Sequence, residues 1–157
     1  MVFYTLSLLE LQEAPMSYRE KTAWLSLIAM ALTFGPYFAY LGVVPHAPET
    51  LPDVPQLVLF GITAVAYALI VAIGNLVLYR RSPEEARTPL DERDLAIQRR
   101  SLSAAYYLLI AGIIEVGVVM PFNAGGWKII HAALFMIVAA ELVHYGVVVV
   151  SYRRQAA

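Results

Sequence analysis

Four long apolar runs constrain the fold of this chain more than any other feature. They cover residues 23–43, 56–79, 102–121 and 128–150. Each run has about 20 residues or more, enough for a helix to cross about 30 Å of hydrocarbon. A surface helix of a soluble domain carries a polar stripe, and these runs carry almost none. With 60% apolar and 15% charged residues, the chain is predicted to be an all-α integral membrane protein, a four-transmembrane-helix bundle.

The positive charges predict how this bundle is oriented. All Lys and Arg residues except Lys128, ten of eleven, lie in the N-terminal segment 1–22, the connection 80–101 and the tail 151–157. Cytoplasmic loops retain positive charge during insertion. We therefore expect both termini and the connection to be cytoplasmic, in a bacterial plasma membrane. Two helical hairpins would then be joined by an Arg-rich cytoplasmic loop.

The first residues allow two interpretations. Residues 1–14 are apolar with two acids and lack the positive n-region of a signal peptide. Met16 begins the polar stretch Met-Ser-Tyr-Arg-Glu-Lys directly before the first apolar run. Either the true start is Met16, or the preceding residues form a helix at the membrane interface.

Composition excludes several kinds of chemistry. The chain has no cysteine, which leaves out disulfides, thiolate metal ligands and thiol nucleophiles. Its net charge of −1 does not suggest nucleic-acid binding. No glycine-rich phosphate loop or nucleophile elbow is present. The sequence thus predicts no cofactor, and it gives no motif that identifies an enzyme.

Two capping signals divide the connection 80–101. Ser82-Pro83 and Thr88-Pro89 each place a hydroxyl residue before a proline, and acids follow in the next turn. Proline is favoured at the first position of a helix, and a hydroxyl is favoured just before it. We expect a short helical turn and then a helix from about Pro89 that continues into the third apolar run.

The most distinctive polar sequence precedes the third run. It contains the acids and arginines Asp91, Glu92, Arg93, Asp94, Arg99 and Arg100. Acids near a helix N-terminus are stabilising by about 0.3–1 kcal/mol each, and arginines at a membrane boundary act as anchors. Helix capping and anchoring therefore explain this motif structurally. A docking surface for a partner or a carboxylate cation site are the functional alternatives.

The Asp91-Glu92-Arg93 stretch ahead of a membrane helix resembles the motif of small four-span bacterial and archaeal membrane proteins of the DUF2178 kind. The resemblance covers about a dozen residues and the four-span layout. Since no activity is assigned to those proteins, it implies membership of a class and the four-helix architecture, and it implies no reaction.

Ionisable groups inside the apolar runs are the other candidates for a site. Glu115, Glu141 and His144 lie at depths where a charge costs about 2.5–3.5 kcal/mol, and Asn75 is a polar neighbour near the inner third. The third and fourth runs form a tight hairpin, so the two carboxyl groups come close if their helices pack with facing sides. Interhelical hydrogen bonding explains this group structurally, and a proton or cation site explains it functionally.

A metal site is a further alternative for the same residues. Glu141 and His144 follow the Glu-x-x-His spacing of one half of a di-iron carboxylate centre. Only one copy of this spacing is present, so a centre built on Glu115, Glu141 and His144 would need a second protomer.

Three classes of function compete. The first is a regulatory or interaction protein whose Arg-rich loop contacts a cytoplasmic protein or anionic lipid, and the sequence favours it because the loop charges are abundant. The second is a proton- or cation-linked transporter or channel component that uses Glu115 and Glu141. The third is a membrane enzyme, which no catalytic spacing supports. A bundle of this size leaves little room for an aqueous pathway unless it forms a homodimer.

Overall fold

All regular elements in the described part of the chain are helical. The computed structural model describes residues 16–43, 54–124 and 126–156. Its five α-helices are α1 Tyr18–Val43, α2 Val54–Arg81, α3 Pro83–Arg87, α4 Glu92–Ile114 and α5 Trp127–Ala156. A π-helical turn, Glu115–Val119, and a 3-10 turn, Met120–Phe122, continue α4.

Four of these helices are long and apolar enough to cross a membrane, which confirms the prediction of four such helices. They are α1, α2, α4 with its continuation, and α5. The helices extend beyond the apolar runs at the end of the bundle where most arginines lie. This arginine-rich end comprises the starts of α1 and α4, the ends of α2 and α5, and all of α3. The alternative starts at Met1 and Met16 concern residues 1–15, which lie outside the described residues.

The helix arrangement places α1 and α5 in the middle. Helix α2 packs along α1, and α4 packs along α5. The hairpins meet where α1 contacts α5. Because α2 and α4 lie on the outside, much of their apolar surface faces outward, as with Ile62 and Ile113. Such faces suit a lipid environment.

Two apolar clusters fill the bundle. The cluster at the arginine-rich end joins α1, α4 and α5 through Ala23, Ile97, Val148, Val149 and Tyr152. The second cluster is centred on Met30, Phe34, Tyr37 and Val138, with Phe60 and Tyr67 of α2 packed against it. We call this second region the aromatic half, because its rings contact one another across helices.

Small residues allow the closest helix contacts. A side-chain Cβ at Gly112 would lie 2.7–2.9 Å from three atoms of Met136, so α4 and α5 depend on a glycine there. At Gly74 of α2, a Cβ would meet the end of the Leu25 side chain. Small residues at such positions let helix backbones approach in membranes.

The connection between the hairpins differs from the prediction in one respect. The short helix after Ser82 is present as α3, but the next helix begins at Glu92, with Asp91 as its N-cap, and not at Pro89. The Thr88 hydroxyl donates to the Glu84 carbonyl at 3.0 Å, so Thr88 ends α3. The stronger cap at Asp91, described below, sets the later start.

Candidate functional site

The start of α4 is built by a reciprocal cap. The Asp94 backbone N–H donates to Asp91 Oδ1 at 2.7 Å, and the Asp91 N–H donates to Asp94 Oδ2 at 3.4 Å. This capping box satisfies two backbone donors that the helix itself leaves without partners. It also fixes the Asp94 side chain, which is buried while its neighbours Glu92 and Arg93 are exposed.

Asp94 connects three helices. Its Oδ2 atom accepts a hydrogen bond from Arg19 Nη1 of α1, and its Oδ1 atom accepts one from the Tyr152 hydroxyl of α5. Arg19 also donates from Nη2 to the Thr88 carbonyl at 2.8 Å. A buried carboxylate is stable only when paired and hydrogen-bonded. We call Arg19, Asp94 and Tyr152 the polar latch.

The latch favours the ionised form of Asp94, which lies eight residues before the apolar run at Leu102. Burial by itself raises the pKa of this carboxyl. The hydrogen bonds from Tyr152 and the Asp91 backbone, and the Arg19 guanidinium, outweigh burial and hold the pKa below its ordinary value. Asp94 therefore keeps its negative charge at neutral pH.

Further polar contacts attach the connection and the tail to α1. Glu20 of α1 forms an ion pair with Arg153 of α5, with 2.8 Å between Oε1 and Nε. The Tyr18 backbone N–H donates to Glu85 Oε2 at 3.1 Å, which ties α1 to α3. The arginine-rich end is thus a fixed surface, held at several points.

The charged residues of the stretch 91–100, which precedes the third apolar run, fall into two groups in the structure. Asp91 and Asp94 point into the cap and the latch, and Arg93 lies over the Tyr152 ring at 5.9 Å. Glu92, Arg99 and Arg100 are exposed. The capping interpretation of the acids is confirmed for Asp91 and Asp94, and the exposed residues are those that a partner can reach.

The two partners of Asp94 were not predicted from the sequence. Arg19 lies 75 residues away in the chain and Tyr152 lies 58 residues away. The sequence does contain a weak signal for them. Asp94 is an acid in the first turn of a helix, and an arginine and a tyrosine lie near the ends of two other helices, so tertiary pairing between them is a reasonable expectation. No rule of sequence spacing selects Arg19 over the other nine cations at this end.

Below the latch, a cavity of about 300 Å³ brings together two of the predicted intramembrane residues. Asn75 of α2 and His144 of α5 both line it, with Ser26 of α1 and Asp94. The Asn75 Oδ1 and His144 Nδ1 atoms are buried without a hydrogen-bond partner in the described residues. Buried polar atoms of this kind are commonly satisfied by water or a ligand.

The two glutamates of the apolar runs, Glu115 and Glu141, are both exposed. Glu115 is the first residue of the π-helical turn that follows α4. Glu141 is exposed on α5, near enough to Tyr67 of α2 to interact with it electrostatically. No group of three metal-binding side chains occurs within the described ranges, and a centre shared with a second protomer stays a prediction.

Comparison with known proteins does not identify the chain. No family model, curated protein or solved structure matches it. The resemblance of Asp91-Glu92-Arg93 to the DUF2178-like proteins stays a prediction from that stretch. The function must therefore be argued from the geometry of the arginine-rich end and of the cavity below it.

Proposed function

We propose that this chain is a multi-pass protein of a bacterial plasma membrane, with its arginine-rich end and both termini in the cytoplasm. The four apolar helices supply the membrane domain. The charge distribution supports the orientation, since ten of eleven Lys and Arg residues, all but Lys128, belong to segments on one side of the predicted spans. This orientation matters because the connection 80–101 can bind only partners on the side of the membrane that it faces.

In that setting the protein acts as a regulatory or interaction protein, and its partner is a cytoplasmic protein with an acidic surface. One observation carries this proposal: the polar latch holds the connection 80–101 in place while its arginines point outward. Arg80, Arg81, Arg87 and Arg99 are exposed, whereas the acids Asp91 and Asp94 are used internally.

Fixation of the connection matters for affinity. A flexible loop loses conformational entropy when it binds, and a preorganised surface avoids much of this cost. Helix α3 is attached to α1 through Glu85, and the start of α4 is attached through Asp94. An exposed arginine surface of this kind also accelerates encounter with an acidic partner through electrostatic steering.

Site-specific photo-crosslinking in native membranes tests the proposal. A photoreactive amino acid replaces Arg87 or Arg99 on the connection, and Phe122 or Leu32 as controls that are exposed away from the arginine-rich end. We expect one discrete protein adduct, identified by mass spectrometry, from the connection positions only.

The adduct must also depend on charge. Arg80→Glu combined with Arg81→Glu should abolish the adduct at Arg99, while Glu92→Gln should leave it intact. An equal adduct yield from Phe122, or an adduct that persists after charge reversal, would contradict the proposal.

A second candidate is a component of a proton- or cation-linked transporter. The observation that favours it is the exposure of the Glu115 and Glu141 carboxyl groups within apolar helices, where an unpaired charge is costly. A homodimer that covers these faces would satisfy them. Substrate-driven proton uptake in liposomes that is lost in Glu141→Gln, with unchanged folding, would support this candidate over the first.

A further inference from the structure

A groove between α4 and α5 at the arginine-rich end is separate from the polar latch. Its volume is about 380 Å³. Its lining combines polar and apolar residues: Arg100, Ser151 and Arg154 are polar, and Ala96, Ile97, Gly146, Val147 and Val150 are apolar. The two arginines come from different helices, so the groove exists only when α4 and α5 are packed together.

The groove carries positive charge that the protein itself does not neutralise. Arg100 and Arg154 are both exposed, and neither forms an ion pair or hydrogen bond with another residue in the described part of the chain. Arg19 and Arg153, by contrast, pair with Asp94 and Glu20. Two guanidinium groups that line one groove repel each other and favour an anion between them.

The groove also lies at the right depth for a lipid headgroup. Arg100 precedes the apolar run 102–121, and Ser151 and Arg154 directly follow the run 128–150. On α5, Val147 and Gly146 lie about one to two helical turns deeper in the apolar run than Ser151 and Arg154, at about 1.5 Å per residue. The groove therefore spans the boundary between the arginine-rich end and the apolar runs, where a headgroup and the start of an acyl chain both lie.

We propose that this groove binds an anionic phospholipid of the cytoplasmic leaflet. Arg100 and Arg154 contact the phosphate, Ser151 donates a hydrogen bond to it, and an acyl chain lies along Val147 and Val150. The assignment rests on the membrane orientation proposed above, and it is independent of the protein partner. Basic pockets between membrane helices on the cytoplasmic side are suited to such headgroups.

The apolar lining residues favour a lipid over free phosphate. A phosphate ion would use only the arginines and the serine, and would leave the valines without a ligand. Gly146 provides the room, because a Cβ at this position would meet nothing within 4 Å. A larger side chain at Gly146 should fill the groove without disturbing the helix contact.

Native mass spectrometry of the full-length protein in detergent tests the assignment. Phosphatidylglycerol, phosphatidylcholine and inorganic phosphate are titrated separately. We expect phosphatidylglycerol to bind at least about tenfold more tightly than phosphatidylcholine, and phosphate not to compete at equal concentration. Arg100→Gln with Arg154→Gln, and separately Gly146→Leu, should each weaken phosphatidylglycerol binding about tenfold.

The matched control is Arg80→Gln with Arg81→Gln, which removes the same charge from the same end. This control should bind phosphatidylglycerol like the wild type. Equal loss in the control would show unspecific attraction and overturn the site, as would full competition by phosphate or unchanged binding in Gly146→Leu. Circular dichroism confirms that each variant is folded, and the purified system contains no protein partner, so failure here is distinct from failure of the crosslinking test.

Discussion

The arginine-rich end and the aromatic half hold the same central helices together by different forces. At the arginine-rich end, Asp94 and its two partners join α1, α4 and α5 through charge-assisted hydrogen bonds. In the aromatic half, the Phe34 ring lies 5.8 Å from Phe60, and Phe38 lies 5.2 Å from Phe135. The first region is held by charged and hydrogen-bonded side chains, and the second mainly by contacts between aromatic rings.

This difference reflects what each environment supplies. In the membrane setting proposed above, lipid would give no hydrophobic driving force between helices, and the aromatic half would depend on van der Waals packing. At the arginine-rich end Asp94 is buried, and burial of a charge must be balanced by pairing. The comparison can be tested by removing one contact at a time from each region.

The largest loss is expected at the polar latch. Asp94→Asn removes the charge that pairs with Arg19 and leaves one amide oxygen in place of the two carboxylate oxygens that accept from Arg19 and Tyr152. Breaking a buried pair costs about 3–5 kcal/mol, and because the Arg19 side chain is 30% exposed, we expect about 3 kcal/mol. Denaturant titration in detergent measures the free energy of unfolding. Glu92→Gln is the control, since it makes the same charge change at an exposed neighbour.

Phe34→Ala should cost about 2 kcal/mol. The Phe34 side chain is 5% exposed and contacts rings on two helices. The cavity left behind loses packing contacts, but in a lipid-like environment the transfer contribution is largely absent. The same titration, compared with Leu32→Ala at a 70% exposed position of α1, checks this value. A loss as large as that of Asp94→Asn would contradict our ranking of the two regions.

Gly112→Ala should destabilise the contact between α4 and α5 by about 1.5 kcal/mol, since overpacking typically costs about 1–3 kcal/mol. The new Cβ would lie 2.8 Å from Met136 Cβ, an atom that cannot move without its backbone. Gly117→Ala is the matched control, because a Cβ there meets nothing within 4 Å. Thermal unfolding should separate the two variants, and equal melting temperatures would show that the helices can move apart freely.

Tyr152→Phe should cost about 1 kcal/mol, the usual net value of one hydrogen bond. It removes the donor to Asp94 and keeps the ring in the apolar cluster at the arginine-rich end. In the Asp94→Asn background, the same change should cost much less, because the two residues act together. Tyr106→Phe, at an exposed tyrosine of α4, should have no measurable effect.

The smallest effect is a dependence on acid pH. Because the folded protein holds the pKa of Asp94 below its ordinary value, the unfolded chain binds this proton more readily. The stabilisation is therefore complete above the ordinary value, near pH 4, and is lost as the pH falls through the lower, folded value. Between pH 5 and 3 the wild type should lose more stability than Asp94→Asn. Parallel curves for the two proteins would exclude the latch as the cause.

Sequence patterns predicted those parts of the fold that depend on neighbouring residues. The four apolar runs predicted the four long helices. The pairs Ser82-Pro83 and Thr88-Pro89, each followed by acidic residues, predicted α3 and a capped α4. The start of α4 was misplaced because Thr88-Pro89 and Asp91 are both acceptable caps locally. The reciprocal bonds between Asp91 and Asp94 decide between them.

The candidate site was only partly predictable. A run that is apolar on every face does not show which face of its helix packs against a neighbour, so the direction of each polar side chain stays open. The sequence therefore determined that Glu115, Glu141, Asn75 and His144 lie within apolar helices and that arginines gather at one end. Only the tertiary structure decided that Asn75 and His144 share a cavity while both glutamates stay exposed. It also selected Arg19 and Tyr152 for Asp94, since contacts over 75 and 58 residues depend on which helices are neighbours.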